Sequence, residues 1–250
     1  MDLSAVTQAN LVGVAFFAGL ISSIAGSGGI LTLPALLWAG LPPLSALATN
    51  KVQSSIGTLS SAWNFFRHGH IAIRPLLPVL LMGFIGSVIG TLAVQQLDSE
   101  ILLKLIPFLL IAIAVYFLLM PKVSAANPQP KISQAWFACT AGLGMGFYGG
   151  FFGPAMGSIF PFLLVWLVAR NLVTATAETK LMILVVNGTS ALIFIAGGHV
   201  LWGLAISMSI AQMIGARLGS NLVMQRGTGF VQPIITTVTL LMAIKLLFFA

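Results

Sequence analysis

The feature that most constrains this chain is a succession of long apolar runs that carry almost no charge. Only 6% of its 250 residues are charged and 58% are hydrophobic, whereas about 25% of the residues of a typical soluble protein are charged. A soluble fold could not bury so much apolar surface. Because a membrane-spanning helix needs roughly 20 apolar residues, the chain has room for about eight to ten crossings. We therefore predict an all-α polytopic membrane protein.

The charged residues say little about a soluble partner. The net charge of +7 comes from scattered Lys and Arg residues, so we interpret it as a topology signal and predict no nucleic-acid binding. The first residues lack the basic region of a cleaved signal peptide, so the first apolar run is expected to remain in the mature protein. The single Cys139 cannot form an internal disulfide.

Ten apolar runs fall into two series of five, separated by a stretch that contains Lys122 and Lys131. This pattern predicts a first transmembrane repeat at 1–121, a cytoplasmic linker at 122–133 and a second repeat at 134–250. The runs lie at about 9–25, 30–41, 44–66, 72–96 and 100–120, and then at about 134–151, 155–169, 172–197, 200–223 and 229–249.

Landmarks of the two series coincide at a nearly constant spacing, which indicates an internal duplication. The matching pairs are Lys51 with Lys180, His70 with His199 and Gly86 with Gly215 at an offset of 129, and Gly26 with Gly153 at an offset of 127. Five segments per copy is an odd number, so the second copy is predicted to cross the membrane with the opposite topology. The short runs at 30–41 and 155–169 could span the membrane or form re-entrant hairpins. Both alternatives give the two copies opposite topologies.

The positive-inside rule predicts the orientation in the cytoplasmic membrane. If the loop with Arg67 and Arg74 is cytoplasmic, then Asp98 and Glu100 and both termini lie outside. Lys104 and Lys245 oppose this assignment unless they snorkel to the interface. The other basic residues that it places in the cytoplasm are Lys122, Lys131, Arg170 and Arg226.

Two glycine-rich tips, at equivalent places in the duplication, each begin a new apolar helix. Ser27 suits an N-cap and Pro154 suits a first helical position. Helix N-termini inside a membrane would bind an anion, since their N–H groups are unpaired and the helix dipole is positive there. The alternative is that the glycines only allow close helix packing. The predicted substrate-binding residues of the tips are Gly26, Ser27, Gly28, Gly29, Gly153, Pro154, Ala155, Gly157 and Ser158.

Ionisable residues inside apolar segments are the other candidates for the site. A lysine costs roughly 3 kcal/mol at the membrane centre, so Lys51 and Lys180 are predicted to bind an anionic substrate from two sides, with Asn50 beside them. The alternative is that both lysines snorkel to an interface. Glu178 and Arg217 are predicted to form an ion pair or to serve in coupling. Further polar lining is expected from Gln53, Asn187 and Gln212.

Catalytic signatures are missing from the sequence. It contains no nucleophile elbow, P-loop, zinc-protease motif or pair of carboxylates, so no enzyme activity, metal or cofactor is predicted. His70 and His199 are interpreted as turn residues, and the GxxxG spacings at Gly86 and Gly215 as helix-packing faces.

These motifs resemble the sulfite exporter TauE/SafE family of bacterial membrane permeases. The resemblance rests on GSGGILTLPALLWAGLPPLSALATNK, from Gly26 to Lys51, and on its echo from Gly149 to Lys180. The second copy departs from the family pattern at Phe151, Phe152 and Pro154. The resemblance covers essentially the whole chain and implies transport of a small sulfur-containing or organic anion, such as sulfite or a sulfonate.

The sequence thus predicts a secondary transporter, an exporter of a small anion, that works by alternating access around the glycine-rich breaks. An anion channel with a glycine-lined pore is the alternative. An intramembrane enzyme or a subunit of a larger complex is a third possibility. The predicted partners are the anion and the lipid bilayer, and the sequence does not decide between a monomer and a homodimer.

Overall fold

A computed structural model describes residues 3–26, 28–119 and 129–226. Throughout these ranges the regular structure is helical, which confirms the predicted all-α class. A π-helical turn, Ala138–Gly142, joins α6 to α7. The helices are α1 (Ala5–Ala25), α2 (Gly28–Trp38), α3 (Pro43–Arg67), α4 (Ile73–Gln95), α5 (Ser99–Leu119), α6 (Gln134–Phe137), α7 (Leu143–Phe151), α8 (Met156–Val168), α9 (Leu172–Ala196) and α10 (Trp202–Arg226).

The helices differ in whether they can cross a bilayer. In the described part of the chain, α1, α4 and α9 are both long enough and apolar enough to span a membrane, whereas α2 and α8 are short apolar helices. α2 has 11 residues and α8 has 13, which at about 1.5 Å per residue is well below a bilayer's thickness. The short segments predicted at 30–41 and 155–169 are therefore confirmed as short. The last predicted run, 229–249, lies outside the described residues.

Local chemistry sets several helix ends. Ser4 caps α1 by accepting from the Thr7 amide at 3.2 Å, and the Asn171 side chain caps α9 by accepting from the Thr174 amide at 2.8 Å. Gly26 is the C-cap of α1, with φ of +72° and an amide that donates to the Ser22 carbonyl at 2.7 Å. Glycine adopts this left-handed conformation without a Cβ penalty, so the helix stops here.

Glycines let two helix pairs pack backbone against backbone. A Cβ added at Gly86 of α4 would collide with the Leu143 carbonyl of α7. In the same way, a Cβ added at Gly215 of α10 would collide with the Phe16 carbonyl of α1. The helix-packing role predicted for both GxxxG spacings is therefore confirmed.

The turn after α3 is built again after α9. The His70 amide donates to the Phe65 carbonyl at 3.1 Å, and the two rings meet edge to face with centroids 6.1 Å apart. The His199 amide donates to the Phe194 carbonyl at 3.2 Å, with ring centroids 6.4 Å apart. Both histidines therefore sit at turns, as predicted.

Polar and apolar side chains are distributed as in a membrane protein. Large apolar side chains such as Phe108 and Leu192 are 71% and 70% exposed, while amides and hydroxyls lie between helices. Gln53 Nε2 donates to Gln212 Oε1 at 2.6 Å. These two residues, predicted to line the site, bond to each other across α3 and α10. Buried hydrogen bonds inside an apolar shell fit a chain that faces lipid, where water cannot satisfy polar groups.

Candidate functional site

The two glycine-rich breaks contact each other. A Cβ added at Gly26, between α1 and α2, would collide with the backbone of Gly157 in α8, and the converse also holds. A Cβ added at Gly29 would lie 3.4 Å from the Cα atom of Pro154. Tips that are more than 120 residues apart in the sequence are thus in direct contact.

The backbone of the second break is irregular. Gly153 and Ala155 have φ values of +103° and +65°, and the Tyr148 hydroxyl donates to the Pro154 carbonyl. Ala155 is the N-cap of α8, which begins at Met156. Pro154 therefore precedes the cap, and its predicted place at the first helical position is wrong. The reason is the left-handed turn at Ala155, which delays the start of the helix.

A cavity of about 30 Å³ lies at the meeting point. Of the predicted substrate-binding residues, Gly28, Ser158 and Lys180 do not line it, and Ser27 lies outside the described residues. Eight others do: Gly26, Gly29, Asn50, Lys51, Gly153, Pro154, Ala155 and Gly157. The remaining lining residues are Ser22, Ser54, Thr58, Met156, Ile183 and Asn187.

The sequence predicted Asn50 at the site but missed Ser54 and Thr58, the other polar residues that α3 gives to the cavity wall. Asn50, Ser54 and Thr58 follow one another at four-residue steps, which places them on one helix face. The Thr32 hydroxyl donates to Asn50 Oδ1 at 2.6 Å and orients the amide. Polar side chains at helical spacing in so apolar a chain could have predicted this polar face.

Lys51 is buried against the second half of the chain. The residue is 1% exposed, and its ammonium donates to the carbonyl of Gly149, in the last turn of α7. Its Nζ atom is also 3.2 Å from Asn187 Oδ1 in α9. The ammonium therefore lies at the cavity, held between two helices of the other half.

Lys180 makes the reciprocal contact. It is also 1% exposed, and its ammonium donates to the carbonyl of Ser22, in the last turn of α1. Since both lysines are enclosed by helices, the alternative that they snorkel to an interface is wrong. Of the two lysines, Lys51 lines the cavity and Lys180 does not.

The buried carboxylate of Glu178 has a different partner from the one predicted. Arg170, in the turn between α8 and α9, lies with Nε 3.3 Å from Glu178 Oε2. The Glu178 side chain is 2% exposed and that of Arg170 is 30% exposed. Arg217, the predicted partner, is half-buried on α10. Arg170 is closer because the tight α8–α9 turn folds it back onto the first turns of α9.

Comparison with known proteins decides the family. The model of the family described as Sulfite exporter TauE/SafE matches residues 11–246. The chain belongs to the sulfite exporter TauE/SafE family. The predicted resemblance is therefore confirmed, and the chain is a multi-pass membrane protein. No solved structure was found that matches it.

Relatives of this TauE/SafE protein are named as transporters. The probable membrane transporter protein YfcA of Escherichia coli is 43% identical over 242 residues, which cover 95% of this chain and 90% of that protein. A probable membrane transporter protein of Haemophilus influenzae is 38% identical over 248 residues, covering 99% and 97%. A third, ORF9 of a Sinorhizobium species, is 38% identical over 246 residues. These names indicate membrane transport, a class that is generally not enzymatic.

Proposed function

We propose that this chain is a secondary transporter that exports a small oxyanion, such as sulfite or an organosulfonate, across the cytoplasmic membrane. The observation that carries the proposal is the cavity where the two helix breaks meet, with the Lys51 ammonium in its wall. The positive helix ends of α2 and α8 open at the same place, and both features favour an anion. The family description, sulfite exporter, points to the same substrate class.

The size of the cavity fits a compact solute. Its volume of about 30 Å³ is room for roughly two water molecules, given that one needs at least about 10–15 Å³ on this measure. The wall is mostly glycine backbone, hydroxyls and amides, which can replace part of an anion's hydration shell. We infer that the structure shows a closed state that must widen to bind or release its substrate.

Alternating access is the mechanism we propose, with the two halves as inverted repeats that rock against each other. Recurring contacts support it. The contact of Gly86 with Leu143 has its counterpart in Gly215 with Phe16, at the offsets of the sequence duplication. The breaks and their cavity lie between the halves, where rocking would expose them to either side.

Flux measurements on the purified protein in liposomes test the proposal. We expect saturable sulfite transport and counterflow of labelled sulfite, with taurine, sulfoacetate and sulfate tested alongside. Lys51→Met should lower the sulfite flux by roughly tenfold or more, because a hydrogen bond from a charged donor is lost. Lys104→Met is the matched control, since Lys104 is an exposed lysine on α5 whose partner is Glu100.

Two results would overturn parts of this proposal. Flux that rises without saturation and shows no counterflow would identify an anion channel instead of a transporter. If the Lys51→Met and Lys104→Met variants transport every tested anion equally well, the Lys51 ammonium is not part of the substrate site.

A further inference from the structure

The two lysines kept by the duplication cross between the halves in the same way. Lys51 of α3 donates to Gly149 at the end of α7, and Lys180 of α9 donates to Ser22 at the end of α1. Ser22 and Gly149 are themselves equivalent in the duplication, at an offset of 127. Each half therefore supplies a cation to the carbonyl end of the other half's broken helix, where the helix dipole is negative.

The equivalence stops at the cavity. Lys51 lines it and also contacts Asn187, whereas Lys180 does not line it. The carbonyl that Lys180 holds belongs to Ser22, which does line the cavity and which also accepts from the Gly26 amide at 2.7 Å. Lys180 thus contacts the cavity wall on the side away from the cavity, through its hydrogen bond to the last turn of α1.

We propose that the two lysines have divided roles: Lys51 contacts the anion, and Lys180 is a positioning residue that fixes the end of α1 as a wall of the closed cavity. An ammonium has three N–H donors, so Lys51 can hold Gly149 and Asn187 and still reach an anion. Lys180 needs only to donate a hydrogen bond to the Ser22 carbonyl. The role of Lys51 rests on the proposed function, whereas that of Lys180 does not.

Cavity access, measured without any substrate, tests Lys180. In a Cys139→Ser background, which removes the one cysteine of the chain, Ser54→Cys places a thiol in the cavity wall. We expect Lys180→Met to raise the rate at which a small charged thiol reagent labels this cysteine by roughly tenfold, through loss of a charge-assisted bond. Lys180→Gln keeps an N–H donor and should raise it less, and Lys104→Met should leave it unchanged. Equal labelling rates in all variants would overturn the positioning role.

Sulfite transport kinetics, in protein with its native cysteine, separate the two lysines. Lys51→Gln should raise KM by roughly tenfold, because the charge that meets the anion is gone. Lys180→Gln should leave KM within about twofold of the original and act on the maximal rate. An equal rise in KM for both variants would show that Lys180 also contacts the anion, contrary to the proposal. If no anion is transported at all, the proposed function fails, and the labelling experiment still decides the role of Lys180.

Discussion

Single glycines allow the two helix breaks of this molecule to come into contact. Gly26 and Gly157 bring two backbones together at the meeting point of the breaks, where neither residue has room for a Cβ atom. Gly144, on α7, has nothing within 4 Å of the place where its Cβ would lie. The same residue type is therefore indispensable at one position and replaceable at another.

Gly157→Ala is expected to destabilise the protein by about 1–3 kcal/mol or more, because overpacking at a backbone contact forces main-chain shifts. Gly144→Ala should be neutral, or stabilising by up to about 1 kcal/mol, since alanine favours the helix. Thermal unfolding of both variants in detergent measures the difference. Equal midpoints for the two variants would contradict the close contact at the breaks.

The Arg170–Glu178 ion pair gives a second comparison between single residues. Arg170→Ala leaves the buried Glu178 carboxylate without its cation, which should destabilise by up to about 3 kcal/mol, with the partial exposure of Arg170 limiting the effect. Lys104→Ala removes an exposed pair and should cost less than about 1 kcal/mol. Thermal midpoints again measure both. A larger loss for Lys104→Ala would mean that the Arg170–Glu178 contact contributes little.

Residue types were easier to predict than their partners. Lys51 was expected at the site because an ammonium in an apolar segment needs a reason, and it lines the cavity. The predicted partner of Glu178 was wrong, because the positions of two residues in the sequence do not show whether their helices bring them into contact. The tight turn that returns Arg170 to α9 depends on a left-handed Ala169, with φ of +58°, and the sequence gives no sign of it.

Helices, as elements, were predictable almost to their ends. The run expected at 44–66 is α3, Pro43–Arg67, and the run expected at 172–197 is α9, Leu172–Ala196. In lipid a backbone must satisfy its own hydrogen bonds, so an apolar run of this length has little choice but to be helical. The predicted place of Pro154 was wrong, because proline suits a first helical position in general and the left-handed backbone at Ala155 delays the start of α8.

Helix pairs that match in the predicted duplication should respond equally to the same change. Gly86→Val on α4 and Gly215→Val on α10 each place a branched side chain against the backbone of a neighbouring helix, so both should lower the thermal midpoint by a similar amount, about 1–3 kcal/mol or more. Gly203→Val, on α10 where nothing lies within 4 Å, is the matched control. A strong effect at only one of the first two positions would show that the pairs are not equivalent.

For the whole molecule, the inverted arrangement of the halves is the prediction that most needs a test. Arg74 and Gly203 match in the predicted duplication, at an offset of 129, and both are exposed in the first turns of α4 and α10. If the halves are inverted, these two positions face opposite sides of the membrane.

In a Cys139→Ser background, Gly203→Cys should react with an impermeant thiol reagent on intact cells. Arg74→Cys should react only after permeabilisation, as the positive-inside rule predicts. Labelling of both positions from the same side would contradict inversion. Labelling of each from the side opposite to that expected would keep the inversion and reverse the predicted location of the termini.

The contacts that the two lysines make between the halves also have a consequence for biosynthesis. Lys51 donates to the Gly149 carbonyl, 98 residues further along the chain. The Ser22 carbonyl accepts from Lys180, which is 158 residues further along. At about 5–20 residues per second, the ribosome needs roughly 5–20 s to supply Gly149 and roughly 8–30 s to supply Lys180. The first half is therefore synthesised before the Gly149 carbonyl, the acceptor of its buried lysine, exists.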